Sequence, residues 1–405
     1  MNPDRVLLPG QVWGLATGEP MGPIFVTSYD GPNLDATVLT AIDPAGAAIW
    51  QRTFDGHPRA PRVTPAGTVW LSHRGPAGPT LTEVSPDGET MSSLVLDHQT
   101  GEHIGAFVLL PDGFCAIWLP TGPRVQAAPG QNPRIARYAR TGTTLWSTPL
   151  ALDRLSFPGV VEAGVDTDWQ VRPKRPWRPR TISVDSREPL LIAGHRILAG
   201  IADRSSGIGV CTLLDTVTGQ IVATTPPGPY QHKAIAGAGS FLIGQQGYGA
   251  FTTTQYDPQG HAQQTWSSHG MMLIDRHGTI SSAESENVLP SRSRFRILNP
   301  DRSLSDGPPL SGYSTTYPAL DADGTAVFWR DGQLLTVDAD LRARVLFAQK
   351  DDRPVMSRIL LLEQGQVAFA LHDELLIFRG TGLKPLASGP WPCGEGNLNG
   401  NPVVA

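Results

Sequence analysis

The chain has 405 residues and a net charge of −5, and its 44 glycines and 37 prolines make about one residue in five a chain breaker. That punctuation excludes a mainly helical protein, and a hydrophobic content of 40% excludes a disordered one. The acidic balance excludes nucleic-acid binding by the whole surface, and no apolar run approaches the length of a membrane span.

The chain opens on "MNPDRVLLPGQVWGLATGEP", with Asp4 where an export signal carries positive charge and with Pro9 and Gly10 breaking the apolar run. The three cysteines, Cys115, Cys211 and Cys393, are isolated and odd in number. They suit a reducing compartment and offer neither a disulfide framework nor a zinc knuckle. Both features set the expectation of a cytoplasmic protein.

From residue 23 onward one pattern recurs: a turn, an apolar strand, a short turn, another strand. Its first copy is "PIFVTSYDGPNLDATVLTAIDPAGAAIWQRTF" (23–54), and its second is "TPAGTVWLSHRGPAGPTLTEVSPDGETMSSLVL" (64–96). Further copies begin near residues 110, 193, 236, 275, 319 and 363. The turn between the third and fourth strands falls at Gly46, Gly88, Gly142, Gly219, Gly260, Arg302, Leu341 and Gly382, at intervals of 42, 54, 77, 41, 42, 39 and 41 residues. Glycine recurs there because a tight hairpin needs a left-handed residue. A period near 40 with four short strands is the pattern of a propeller blade.

The expected fold is therefore all-β: one eight-bladed β-propeller over residues 1–405, with four antiparallel strands per blade and the N- and C-termini closing the ring. The closing strand is expected from residues 400–405, completing the blade that residues 23–54 begin, with "QVWGLAT" (11–17) as the competitor. Trp50, Trp146 and Trp266, at blade ends, are expected to pack between neighbouring blades.

Three blade ends carry a further signal. "AIDPAGAAIW" (41–50), "LDTVTGQIV" (214–222) and "RYARTGTTLW" (137–146) resemble the A-x-D-x-x-T-G-x-x-x-W motif of quinoprotein-type propellers. The resemblance spans about residues 10–390 and implies the eight-bladed fold. It also implies either a pyrroloquinoline quinone dehydrogenase or a cofactor-free scaffold relative. The dehydrogenases of that family are exported, bind calcium and often carry a vicinal disulfide. This chain has no Cys-Cys pair, which argues against the quinone, and no cofactor is assigned.

Where a repeat is irregular, something other than blade geometry sets the sequence. The 77-residue interval holds an insertion at about 151–186 whose middle reads "DWQVRPKRPWRPR". Arg172, Lys174, Arg175, Arg178 and Arg180 put five cations within nine residues, with Trp169 and Trp177 interleaved. Arginine with indole suits a carboxylate, a phosphate or a stacked aromatic ligand. The plainer alternative is a solvated loop pairing with the propeller's own acids. Five charges are a small footprint for nucleic acid, so the expected partner is a protein or an anionic small molecule.

His57, His103, His232 and His269 fall at the expected starts of innermost strands, 10, 10, 7 and 9 residues before the next hairpin glycine. Arg59, Glu102, Tyr230 and Lys233 are their neighbours. Imidazoles around one axis could bind a divalent metal or serve as acid and base near neutral pH. Unequal offsets, however, cannot all point the same way from a strand of period two. That favours structural roles for most of the four and leaves His57 and His103 as the better pair.

Two function classes stay open. One is a recognition scaffold that binds a protein or an anionic ligand at the channel mouth and the basic loop. The other is an enzyme of lyase, cyclase or hydrolase type, in a biosynthetic setting, that uses the channel-mouth histidines.

Overall fold

The structure, a computed structural model, describes residues 2–29, 36–56, 59–120, 132–150, 182–184, 188–203, 207–247, 250–286, 292–311, 317–349 and 357–404. These residues form eight antiparallel sheets of four strands, with two accessory strands on the fourth sheet and one on the sixth. Numbered in chain order, each of the first seven sheets takes its four strands consecutively. The eighth takes three, Leu360–Leu361, Val367–Leu371 and Glu374–Phe378, and borrows its fourth from the N-terminus. This is the plan of an eight-bladed β-propeller.

The borrowed strand is Asp4–Leu7, antiparallel to the third strand with Asp4 opposite Ile377. It removes an edge that would otherwise stay unpaired. Ion pairs from Arg5 to Glu374 (2.8 Å) and from Arg379 to Asp4 (2.7 Å) mark the register. Both are partly exposed, so the backbone ladder holds the strand more than charge does.

Two closure expectations are corrected here. The first strand of the first sheet is Gln11–Ala16, paired with Ile24–Tyr29, and residues 400–405 do not complete it. The C-terminal strand is only Val403–Val404, and it pairs parallel with Ile192 and Ala193 of the fourth sheet. The turn at Gly382 leads to no fourth strand, because Asp4–Leu7 already occupies that edge.

The other seven repeat turns stand as expected. Gly46, Gly88, Gly142, Gly219, Gly260, Arg302 and Leu341 all lie at φ between 63° and 94°. At the turn's first residue a side chain caps the loop in several copies, as where Asp43 Oδ1 accepts the Ala47 N–H at 2.8 Å and Ser85 Oγ the Glu89 N–H at 3.0 Å. Arg302 is exposed and holds φ at 70° with a side chain that disfavours it. Arg302→Gly removes a left-handed penalty of about 1–2 kcal/mol and adds a smaller cost in chain entropy. A gain of about 1 kcal/mol is expected in urea denaturation, and a loss would contradict this account of the turn.

Two compact units divide the chain: Met1–Val95 with Gly270–Pro402, and Leu96–His269 with Val403–Ala405. The first holds sheets one, two, six, seven and eight. Its largest core cluster centres on Trp329, whose ring lies 5.2 Å from Phe369 and 6.5 Å from Phe378. The second unit holds sheets three, four and five, with a core of Ile117, Ile135, Ile197, Val210 and Leu214 among others.

In both units some middle strands read as continuous apolar runs and are buried throughout, as in Gly113–Leu119 and Val367–Leu371. Fourth strands alternate between exposed and half-buried residues, as in Thr90–Val95 and Thr144–Pro149. Tryptophan joins consecutive sheets within each unit. The Trp50 indole N–H donates to Pro86 O at 2.6 Å, and that of Trp146 to Thr216 O at 3.1 Å. Trp266 is buried.

Candidate functional site

In a propeller the first strand of each blade faces the central channel, which is where catalytic groups were expected. In the first unit that surface is taken by the chain's own C-terminal segment. Leu386 N–H donates to Leu361 O of the eighth sheet at 3.1 Å, and Leu320 N–H of the seventh donates to Pro392 O at 2.7 Å. Ile274 of the sixth bridges Trp391, with Ile274 N–H to Trp391 O at 2.7 Å. Thr17, following the first strand of the first sheet, donates to Leu398 O, and Val63 of the second sheet to Asn399 O, both at 3.0 Å. The segment thus reaches all five sheets of its unit.

Its anchor is a buried charge cluster. Glu395 accepts from Arg62 Nη1 at 3.0 Å through one carboxylate oxygen and from Arg358 Nη1 at 3.1 Å through the other. The side chains of Arg62, Glu395 and Arg358 are 9%, 14% and 4% exposed. Arg62 also donates to Gly400 O, and Arg358 to Asn397 O and, at 3.4 Å, to Cys393 Sγ. Burial pushes the Cys393 thiol up to about 11, so it is inert packing at neutral pH. None of Arg62, Arg358 and Glu395 carries a signal in the sequence. "CGEGNLNGN" has neither strand nor helix periodicity, and Arg62 and Glu395 meet across 333 positions.

The histidines separate on inspection. His57 lies outside the described residues, as do Trp169, Arg172, Lys174, Arg175, Trp177, Arg178 and Arg180. His103 and His232 do lie on first strands, in His103–Leu110 and Tyr230–Gly237 of the second unit, and both are half-buried. A register shift follows His103 between Ile104 and Ala106, and another spans His232 between Tyr230 and Lys233.

His269 does not lie on a first strand, which corrects that expectation. The sixth sheet begins at Met271, and the His269 ring packs edge-on to Phe251 at 5.1 Å. The error has a local cause, since "SSHGMM" offers no apolar alternation to mark where the strand starts.

Of the neighbouring residues, Glu102 and Tyr230 make buried packing contacts, and Lys233 is buried on the same strand as His232. Glu102 takes a bidentate pair from Arg134, Nε to Oε1 and Nη2 to Oε2, both at 2.8 Å. The guanidinium lies 4.9 Å over the Trp118 ring, and Glu102 also accepts the Gln99 N–H at 2.7 Å. Tyr230 is buried, its phenol pushed up by desolvation, and donates to Pro226 O at 2.5 Å. Arg59 contributes its backbone carbonyl, which accepts from Thr27 Oγ1 at 2.9 Å.

A cleft of about 620 Å³ opens in the first unit between the sixth and seventh sheets, lined by Asp275, His277, Asp321, Asp323 and Asp338 among others. The carboxylates there close turns. Asp275 Oδ1 accepts His277 N–H and Thr279 N–H at 2.8 Å, and Asp321 accepts Thr325 N–H at 2.8 Å and Lys384 N–H at 3.2 Å. "LDADG" is a hairpin turn, as expected. Among the described residues no three His, Cys, Asp or Glu side chains come together in a way that could hold a metal ion. Among them, too, no helix is long and apolar enough to cross a membrane.

No family model matches the chain, and no curated protein matches it. The chain is similar to several solved propellers. One is the β-propeller domain of Cps50 (Swd1) from Myceliophteria thermophila, at 11% identity and a TM-score of 0.45, covering 93% of this chain and 98% of that one. Another is virginiamycin B lyase from Staphylococcus aureus, at 9% identity and a TM-score of 0.41 with the same coverage. A third is the periplasmic gluconolactonase PpgL from Pseudomonas aeruginosa, at 11% identity and a TM-score of 0.44, covering 81% of this chain and 96% of that one. Likeness at this level concerns the fold alone, and it is the sheet topology that establishes the fold.

Proposed function

We propose that the protein is a cytoplasmic binding scaffold that holds a protein partner or an anionic ligand. The observation that carries this reading is the C-terminal segment. It commits the first strands of five sheets to internal packing, with Arg62 and Arg358 bound to Glu395. A surface that a propeller enzyme keeps open for substrate serves rigidity here. The blade-end motif shared with quinoprotein-type propellers then reads as kinship with their cofactor-free scaffold members. The chain's densest group of cations, Arg172 to Arg180, supplies the attraction for an anionic partner, with Trp169 and Trp177 as stacking faces.

The test is binding of a fluorescent polyglutamate peptide at physiological salt. Reversing the charge of Arg172, Lys174, Arg175, Arg178 and Arg180 to Glu should weaken it at least about tenfold, since ten units of charge then turn attraction for the peptide into repulsion. Equal affinity of wild type and variant would reject the segment as the contact.

A second reading, proton-transfer chemistry, is favoured by the placement of His103 and His232 at irregular starts of first strands. It requires a reaction whose rate falls about 100-fold or more in His103→Ala and His232→Ala but not in the charge-reversed variant.

A further inference from the structure

Arg330 ends the second strand of the seventh sheet and is 2% exposed, and its buried Nε has no hydrogen-bond partner among the described residues. Burial draws its guanidinium down to about 10, against a weak opposing pull from Asp331. A buried cation with an unsatisfied donor is costly, so a fold that retains one invites the question of what completes it.

Strand parity says where it points. Phe328, two residues earlier, shares its face, and the Arg330 guanidinium carbon lies 5.9 Å from that ring. Phe328 stacks on Phe295 of the sixth sheet at 6.3 Å and 19°. Arg330 therefore faces the sixth sheet, and Ser293, two residues from Phe295 on Arg292–Leu298, faces back toward the seventh. Ser293 is fully buried, and its Oγ has no hydrogen-bond partner among the described residues.

Both residues lie at the ends of their strands remote from the turns at 275–279 and 321–325. The carboxylates of the sixth sheet are already engaged, Glu284 by Arg296 at 3.1 Å and Glu286 by Arg294 at 2.9 Å. Asp331, next to Arg330 in the chain, is exposed and exerts only the weak pull already noted.

We propose that Arg330 and Ser293 form a binding subsite for a carboxylate group, held between the sixth and seventh sheets. The guanidinium offers parallel N–H donors that match two carboxylate oxygens, and the Ser293 hydroxyl adds a third donor. One cation balances one negative charge, so a phosphate dianion would leave excess charge in a desolvated place. The Phe295 and Phe328 rings supply apolar wall for the group that carries the carboxylate. The site deepens the scaffold reading by naming a ligand chemistry, and it rests on that reading only so far.

Sodium acetate is the probe, compared with sodium chloride at equal ionic strength in thermal unfolding. The wild-type midpoint should rise by about 2 °C at 100 mM acetate. Arg330→Met should show no acetate effect and a midpoint in chloride at or above wild type, because it removes an uncompensated charge. Arg330→Lys and Ser293→Ala should each bind acetate more weakly by calorimetric titration. A lower midpoint for Arg330→Met with the acetate effect intact would overturn the site, as would sulfate stabilising more than acetate.

A glutamate-containing peptide and its glutamine counterpart form a second arm. Tighter binding of the glutamate peptide than of acetate places the carboxylate on a protein partner, and equal binding places it on a small acid. The variant reversed at Arg172 to Arg180 should keep its acetate response even if peptide binding fails, so the two readings fail separately. Loss of that response in it would assign acetate to the basic segment and overturn the Arg330 subsite.

Discussion

Glu395→Ala should lower the stability of the first unit by about 3 kcal/mol, because breaking a buried ion pair strands its partners without a counter-charge. Here one carboxylate serves two guanidiniums, both largely buried. The backbone acceptors Gly400 O and Asn397 O stay in place, which keeps the loss at the lower end of the range for such breaks. Glu395 also sits at φ 62°, where a β-carbon costs about 1–2 kcal/mol. Glu395→Gly therefore loses the same charge but recovers that strain, and it should be the milder variant.

Replacing Arg62, Glu395 and Arg358 together with methionine should recover much of the loss, as an apolar set of similar volume needs no pairing. Thiol labelling reads the segment directly. Cys393 is fully buried, and Glu395→Ala should speed its modification while buried Cys115 and Cys211 stay protected. Unchanged labelling and an unchanged urea midpoint would show that the cluster does not anchor the segment.

The blades were legible because each repeat makes the same local demand. A hairpin between third and fourth strands needs one left-handed residue, and five glycines with Arg302 and Leu341 answer it, four of the six intervals lying within two residues of 41. Arg302 and Leu341 were found only through that spacing, since neither residue type favours such a turn.

The ends of the chain were harder to place. Asp4–Leu7 is four residues long, and its pairing with Glu374–Ile377 is decided by an open edge some 370 positions away. Histidine offsets were read from the hairpin glycine, which holds only while first strands share one length. Met271–Ile274 has four residues where His103–Leu110 has eight, and so His269 fell outside its sheet.

The charged sites were missed for another reason. In one dimension, Arg62, Arg358 and Arg330 look like the solvated ends of short strands. Their burial comes from packing that no local pattern announces. Arg62 and Arg358 meet Glu395 only where the C-terminal segment folds back, and Arg330 is enclosed only by a neighbouring sheet. Alternation reports which face of a strand is apolar, and it says nothing about a cation held at the strand's end.

Gly219→Ala tests the joint between the third and fourth sheets, and a loss of about 3 kcal/mol is expected in the second unit. Two costs add. Gly219 holds φ at 70°, and a β-carbon there would stand 2.5 Å from Trp146 Cε3 and 2.6 Å from Cδ2. The indole cannot yield easily, since its N–H is bonded to Thr216 O at 3.1 Å, within the same turn. Left-handed strain contributes about 1–2 kcal/mol and forced overpacking about 1–3.

The double variant Gly219→Ala with Trp146→Ala separates these costs. Removing the indole should relieve the clash and leave the backbone strain, so the pair should fall short of the sum of the singles by 1 kcal/mol or more in urea denaturation. Strict additivity would mean that Trp146 does not press on the turn. The shared blade-end motif, glycine in one sheet and tryptophan in the one before it, would then have no role in setting how consecutive blades pack.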